Sequence, residues 1–182
     1  SATGEQYRVL LQFIGERRIA AVDDVKKALD HSDQNVRTAA LIALGETVSL
    51  KQMSILVSQV VRPSHTEDLE VAQKALKTAS VRMPDREACA AELAAALNTS
   101  PDAAKGTLLE IIADVGGATA LQTLGSAAKS SDAQLQDVGS RLLGTWNSIA
   151  AAPVLLDLAK TGPEEKYRVR ALRGYLGLAR KF

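Results

Sequence analysis

A few residues in this chain are of types that could do chemistry. His31 and His65 stand 34 residues apart, each just before an apolar helical run, and paired imidazoles are half of a common metal-ligand set. Equivalent places in successive helix pairs would hold them about one helix-pair width apart, roughly 8–10 Å or more. No cysteine lies near, so both read as exposed loop histidines and no metal is assigned. Cys89 sits in Glu87-Ala88-Cys89-Ala90-Ala91 with no histidine or cation placed to make it a thiolate. It reads as a buried small hydrophobe. Gly116-Gly117 opens a helix whose free N–H groups could hold an anion, although an inter-repeat turn is the plainer reading. Trp146 follows Leu142-Leu143 and is taken to pack under the next unit rather than to bind. Asp23-Asp24 falls in a first helical turn, where the helix dipole already accounts for acids.

The one strong concentration of charge is basic. Residues 164–182 carry Lys166, Arg168, Arg170, Arg173, Arg180 and Lys181 against Glu164 and Glu165, a local charge of +4 in a chain whose total is +1. Tyr167 and Tyr175 share that segment. A basic, aromatic-bearing helix can grip phosphates or an acidic partner, and its plainer alternative is a solvated face. The low net charge argues against a whole-surface nucleic-acid binder. No Gly-x-Ser-x-Gly elbow, phosphate-binding loop, Gly-x-Gly-x-x-Gly or His-Glu-x-x-His occurs, so neither an enzyme nor a cofactor is expected. A single cysteine rules out an intrachain disulfide. No uninterrupted apolar run approaches the length of a membrane helix, about 18 residues. The start, Ser1-Ala2-Thr3-Gly4, does not read as a signal peptide. Cytoplasmic and exported locations both stay open.

The elements that must position these residues are helices. Thirty alanines and 24 leucines face only six aromatic residues, a balance that favours closely packed helices over strands. A punctuation mark, small residue then acid, recurs at Ser32-Asp33, Thr66-Glu67, Ser100-Pro101-Asp102, Ser131-Asp132 and Gly162-Pro163-Glu164. The acids are 34, 35, 30 and 32 residues apart. Ser or Thr suits an N-cap, Pro the first helical position, and acids the positive helix end. Apolar runs of helical period follow each mark: Val36, Ala40, Leu41, Leu44 in the first, and Val169, Leu172, Tyr175, Leu176, Ala179 in the last. Shorter runs lie at about 20–30, 51–61, 85–98, 117–129 and 150–160, and another at Val9–Gly15. The expectation is one leading helix and five helix–turn–helix units, eleven helices joined by short loops. Such a hairpin buries its apolar face only by stacking on neighbours.

The run Ser32-Asp33-Gln34-Asn35-Val36-Arg37-Thr38-Ala39-Ala40-Leu41-Ile42-Ala43-Leu44-Gly45 resembles a HEAT repeat, with its Asp, Val-Arg and Ala-Ala-x-x-Ala-Leu-Gly. The resemblance to the HEAT and HEAT-like (phycocyanobilin-lyase-type) family covers roughly 5–182. It is good at 20–47, fair at 117–147 and 150–182, and weak at 51–98. It implies an all-α fold: a right-handed α–α superhelix, or α-solenoid, of about five hairpins plus a leading helix, with 1–182 as a single domain. The Asp and following Arg of such repeats form a ladder between repeats, whose positions carry over to Asp33 with Arg37 as one rung and to Glu164 with Arg168 as a second. Asp132 matches the acid alone, being followed by Gln136, and Asp102 is followed by Lys105 one place early. Family members resemble scaffolds that bind another protein, or a neighbouring domain, through the face lined by second helices. On that face the candidate surface residues are Arg141, Arg170, Arg173, Tyr167, Lys105 and Lys74. Nucleic-acid binding through the basic C-terminal helix, as in HEAT-like DNA glycosylases, is the alternative. The resemblance also implies a bacterial origin and a place inside a larger multidomain protein, in keeping with an unpaired first helix and an apolar-rich end.

Overall fold

The recurring marks act by capping. In the computed structural model, which describes residues 3–182, the Asp33 carboxylate accepts the N–H of Asn35 and begins helix α3 (Gln34–Thr47). Asp132 accepts the N–H groups of Gln134 and Leu135 at the start of α9 (Ala133–Gly144). The acid, rather than the serine before it, is therefore the cap at these two marks. Its carboxylate reaches the free N–H groups and places negative charge at the positive helix end. Pro101 precedes α7 (Asp102–Val115), and Glu164 precedes α11 (Glu165–Lys181) without a side-chain cap bond. At the second mark a 3-10 turn, Thr66–Asp68, leads into α5 (Leu69–Arg82).

The remaining helices are α1 (Gly4–Arg17), α2 (Val22–Lys27), α4 (Met53–Val61), α6 (Arg86–Thr99), α8 (Gly117–Ala128) and α10 (Ala152–Thr161). There are eleven α-helices and no strand among the described residues. None is long and apolar enough to cross a membrane. Ser1 and Ala2, part of the start read as lacking a signal peptide, lie outside the described residues.

The chain divides between Asp85 and Arg86 into two compact units. In the first, α1 packs on α3 and α3 on α5, while α2 lies against α3 and α4 against α5. Val36, Leu41, Leu44, Met53, Leu56 and Leu76 are fully buried there. Each such side chain contributes about 1.5–3 kcal/mol through burial. In the second unit, hairpins α6–α7, α8–α9 and α10–α11 stack so that α7, α9 and α11 form one layer and α6, α8 and α10 another. Glycines set the spacing within the α1/α3/α5 layer: a Cβ on Gly45 would lie 3.0 Å from the Ala75 carbonyl oxygen.

Two expectations change with the packing. Asp33 and Arg37 do not pair as one rung; Arg37 instead makes a contact between repeats, and Asp33 caps its own helix. Arg37 is buried and reaches into the next hairpin, its Nε 2.5 Å from Asp68 Oδ2 and its Nη2 2.9 Å from Glu67 Oε1. Its Nη1 donates to the carbonyls of His31 and Ser32 at 3.0 and 3.2 Å. In later hairpins the side chain six positions beyond the accepting carbonyl, as Arg37 is beyond His31, repeats only this turn-bracing half. Gln136 donates to the Ser130 carbonyl, and Arg168 to the Gly162 carbonyl at 3.0 Å, so Glu164 and Arg168 form no rung. Glu164 instead lies 3.2 Å from Lys166.

The second change concerns α11. Val169, Leu172 and Leu176, the apolar pattern expected to be buried, are 39–46% exposed, and the buried face is Tyr167, Ala171 and Leu178. Tyr167 is only 1% exposed and its hydroxyl donates to the Ala133 carbonyl at 3.4 Å. It is a core residue and not part of a binding surface, because the i, i+4, i+11 face it shares with Ala171 and Leu178 is the one that meets α9 and α10.

Candidate functional site

Neighbouring helices of the α7/α9/α11 layer are held apart by side chains except where glycine lets them close. Gly144 near the end of α9 and Gly174 in α11 meet almost backbone to backbone, a Cβ on Gly174 falling 3.0 Å from Gly144 Cα. Above this contact runs an open groove of about 430 Å³. Gly144, Gly174 and Gly177 form its floor. Arg141 comes from α9, while Arg170, Arg173 and Lys181 project from one face of α11. Their helical spacing places the α11 cations along one wall.

Four cations line this groove and no acid does. Two of them already hold carboxylates at their outer edges. Arg141 Nη2 lies 2.7 Å from Glu110 Oε1, and Arg170 Nη1 lies 2.9 Å from Asp137 Oδ1 and 2.8 Å from Ser140 Oγ. The Arg170 guanidinium also stands 5.9 Å from the Tyr167 ring centre, so the buried tyrosine orients a groove residue. Lys181 Nζ donates to Asn147 Oδ1. Arg173 is exposed and has no ion pair or hydrogen bond among the described residues. Guanidinium groups stay charged at any physiological pH and present forked donors, so the wall attracts anions without moving a proton.

Three of the six candidate surface residues, Arg141, Arg170 and Arg173, therefore meet in one place. Lys105 on α7 is held 2.7 Å from Asp102 and does not reach the groove. Lys74 on α5 belongs to the first unit, paired with Glu70 at 2.6 Å. It borders a second groove, of about 600 Å³, between α3 and α5, with Lys77, Val81, Arg82, Arg18 and Glu46. Arg18 and Glu46 are paired at 3.0 Å across it, and Arg82 donates to the Val48 carbonyl at 2.6 Å. Trp146 and Lys181 were not read as surface residues from the sequence. The signal for Lys181 was its i+8 spacing from Arg173. Trp146, expected to be packed away, is half-buried and borders the basic groove.

The other chemical candidates resolve locally. His31 is half-buried, its Nδ1 accepting the Asp33 N–H at 3.0 Å and its ring edge-on to Tyr7. His65 Nδ1 lies 3.7 Å from Glu67. No group of three or more His, Cys, Asp or Glu side chains among the described residues is arranged to hold a metal. Cys89 is completely buried.

The N-terminus of α8 does hold an anion, one supplied by the protein. Glu87 of α6 accepts the N–H groups of Ala118 and Thr119, both at 2.8 Å. Gly116 and Gly117 have φ of 76° and 92°, a left-handed turn that glycine adopts without strain. A Cβ on Gly117 would sit 2.4 Å from the Glu87 carboxylate. Hydrogen bonds from the Thr119 side chain, and then from the N–H groups of Thr119 and Ala118, hold the Glu87 carboxyl below its ordinary pKa. A depressed acid stabilises the fold above its ordinary value, about pH 4.3, and that contribution is lost as pH falls through the depressed value. Glu87→Gln is therefore expected to lower the melting temperature by a few degrees at neutral pH. The gap from the parent protein should close on acidification below about pH 4 in parallel thermal melts. A gap independent of pH would show that the charge of Glu87 is not what caps α8.

Compared with known proteins, the chain matches no family model and no curated sequence.

Proposed function

We propose that this chain is a non-catalytic protein-binding scaffold, and that each unit is a short run of HEAT-like hairpins of the right-handed α–α type. Its partner is another protein, or a neighbouring domain of the same polypeptide. It lies on the face formed by the second helices, α3 and α5 in one unit and α7, α9 and α11 in the other. The observation that carries this reading is the α9–α11 groove, where Arg141, Arg170, Arg173 and Lys181 meet over a glycine floor beside Trp146. Cations with an aromatic neighbour are the residue types that dominate protein interfaces when they become desolvated.

Nucleic-acid binding is the second reading, favoured by the charge of α11. Against it, Arg168 is turned onto the Gly162 carbonyl, and Lys166 is held between Glu164 and the Tyr167 ring.

Affinity capture with the tagged chain, compared with the Arg141→Glu/Arg173→Glu variant, tests the scaffold reading. Charge reversal at two exposed arginines is expected to weaken capture of the partner by about tenfold or more while leaving the circular dichroism unchanged. Equal recovery of every captured protein by both forms would remove the second-helix face from consideration.

A further inference from the structure

We infer that the α9–α11 groove receives an extended acidic peptide segment carrying carboxylates at alternate positions. The inference rests on the scaffold reading above and names the chemistry of its partner.

Charge supplies the first argument. The groove is lined by four cations and by no acid; Glu110 and Asp137 answer Arg141 and Arg170 from outside the lining, which leaves Arg173 and Lys181 without a carboxylate, so an acidic occupant is favoured and a basic one repelled. Arg141 and Arg170 each already hold a carboxylate, from Glu110 and Asp137, through one guanidinium nitrogen, which leaves their other donors for an occupant. Arg173 lies between Arg170 and Lys181 on the same wall and faces solvent with its donors unused by the described residues.

Shape supplies the second. Gly144, Gly174 and Gly177 line the groove, so no side chain stands over the contact of α9 with α11 at those three places. An extended chain fits such a floor, since its backbone can approach where no Cβ stands in the way. Nothing lies within 4 Å of a Cβ built on Gly177, so that part of the floor is open. From Arg170 to Lys181 the helix rises about 16 Å. About five residues of extended chain cover that distance, with every second side chain on the same side. Three acids at alternate positions therefore match the length of the cationic wall.

A phosphate backbone would also answer the charge. Single-stranded nucleic acid, however, is held by stacking successive bases on aromatic platforms, and Trp146 is the one aromatic residue lining this groove.

Trp146 is also the only tryptophan in the chain and lines both this groove and a second one beside Ala118 and Val154, so its fluorescence is read together with the Arg173 variants, which assign a change to this groove. The whole chain would be titrated with an N-acetylated, C-amidated peptide of four Glu-Gly repeats. The matched Gln-Gly peptide and an oligothymidylate of equal charge serve as comparisons. A saturable change with the Glu-Gly peptide is expected, absent with Gln-Gly. Its affinity should fall about tenfold in Arg173→Glu, remain within about threefold in Arg173→Lys, and be unchanged in Lys51→Glu, an exposed position of the other unit. Circular dichroism of each variant establishes that it is folded. No saturable change, equal binding of the Gln-Gly peptide, or tighter binding of the oligothymidylate would overturn the inference. Partner capture that still depends on Arg141 and Arg173 in such a case would leave the scaffold reading standing with a partner of different chemistry. Loss of both results would remove the two together.

Discussion

Asp68→Ala is expected to destabilise the first unit by about 3 kcal/mol or more, lowering its melting temperature by more than about 10 °C. The cause is the guanidinium it would strand. Arg37 is 3% exposed and Asp68 6%, and they are joined by a 2.5 Å contact between Nε and Oδ2. Removing the acid leaves a cation in a site from which water is largely excluded. Glu67, half of whose side chain is exposed, then answers that charge only in part. Domain stabilities are about 5–15 kcal/mol, so the loss is a large share of the total. Asp33→Ala sets the scale for comparison. Its carboxylate caps α3 at an exposed position, a contribution of about 1 kcal/mol. Asp68→Asn keeps an acceptor and should fall between the two. Thermal and denaturant unfolding followed by circular dichroism measures all three. If Asp68→Ala is no more damaging than Asp33→Ala, the buried pair does not hold α3 to the α5 entry turn.

Gly139→Ala and Gly177→Ala are expected to change stability in opposite directions, although both place alanine in a helix of the second unit. Alanine is the better helix former by about 1 kcal/mol. At Gly177 nothing lies within 4 Å of the added Cβ, so up to that full amount is gained. At Gly139 the new Cβ would be 2.8 Å from the Ala128 nitrogen and 3.0 Å from the Leu124 carbonyl oxygen. These are backbone atoms of α8, which cannot turn aside as a side chain can. Overpacking of this kind costs about 1–3 kcal/mol and outweighs the propensity gain. The two variants should therefore differ by about 2 kcal/mol, with Gly139→Ala below the parent protein and Gly177→Ala above it. Melting temperatures of the pair decide it, and a shift of the same sign in both would mean that α8 and α9 have room to separate.

Helix positions were legible in the sequence because they depend on neighbours a few residues away. The acids at 33 and 132 stand beside the N–H groups they cap, and alanine- and leucine-rich runs of helical period follow them. The same locality explains why the partner of Arg37 was missed. Asp68 is 31 residues distant and stands one place beyond the expected acid, Glu67, because a 3-10 turn occupies Thr66–Asp68 before α5 begins. Tyr167 was misplaced for a related reason. Its helix offers two apolar faces, and Val169, Leu172 and Leu176 make the longer pattern. Contact with α9 and α10 buries Tyr167, Ala171 and Leu178 instead.

The groove mixes the two kinds of information. Arg170, Arg173 and Lys181 follow one another at helical spacing, and the sequence alone placed a basic helix at 164–182. It determined the eleven helices, their order and the basic character of the last, since periodicity, caps and charge are properties of contiguous residues. Tertiary structure decided which carboxylates the arginines hold, which face of α11 is core, and that Gly144 meets Gly174 closely enough to make a floor. Those depend on how backbones approach across a helix interface, and that distance is set by side-chain volumes on both sides of the contact at once.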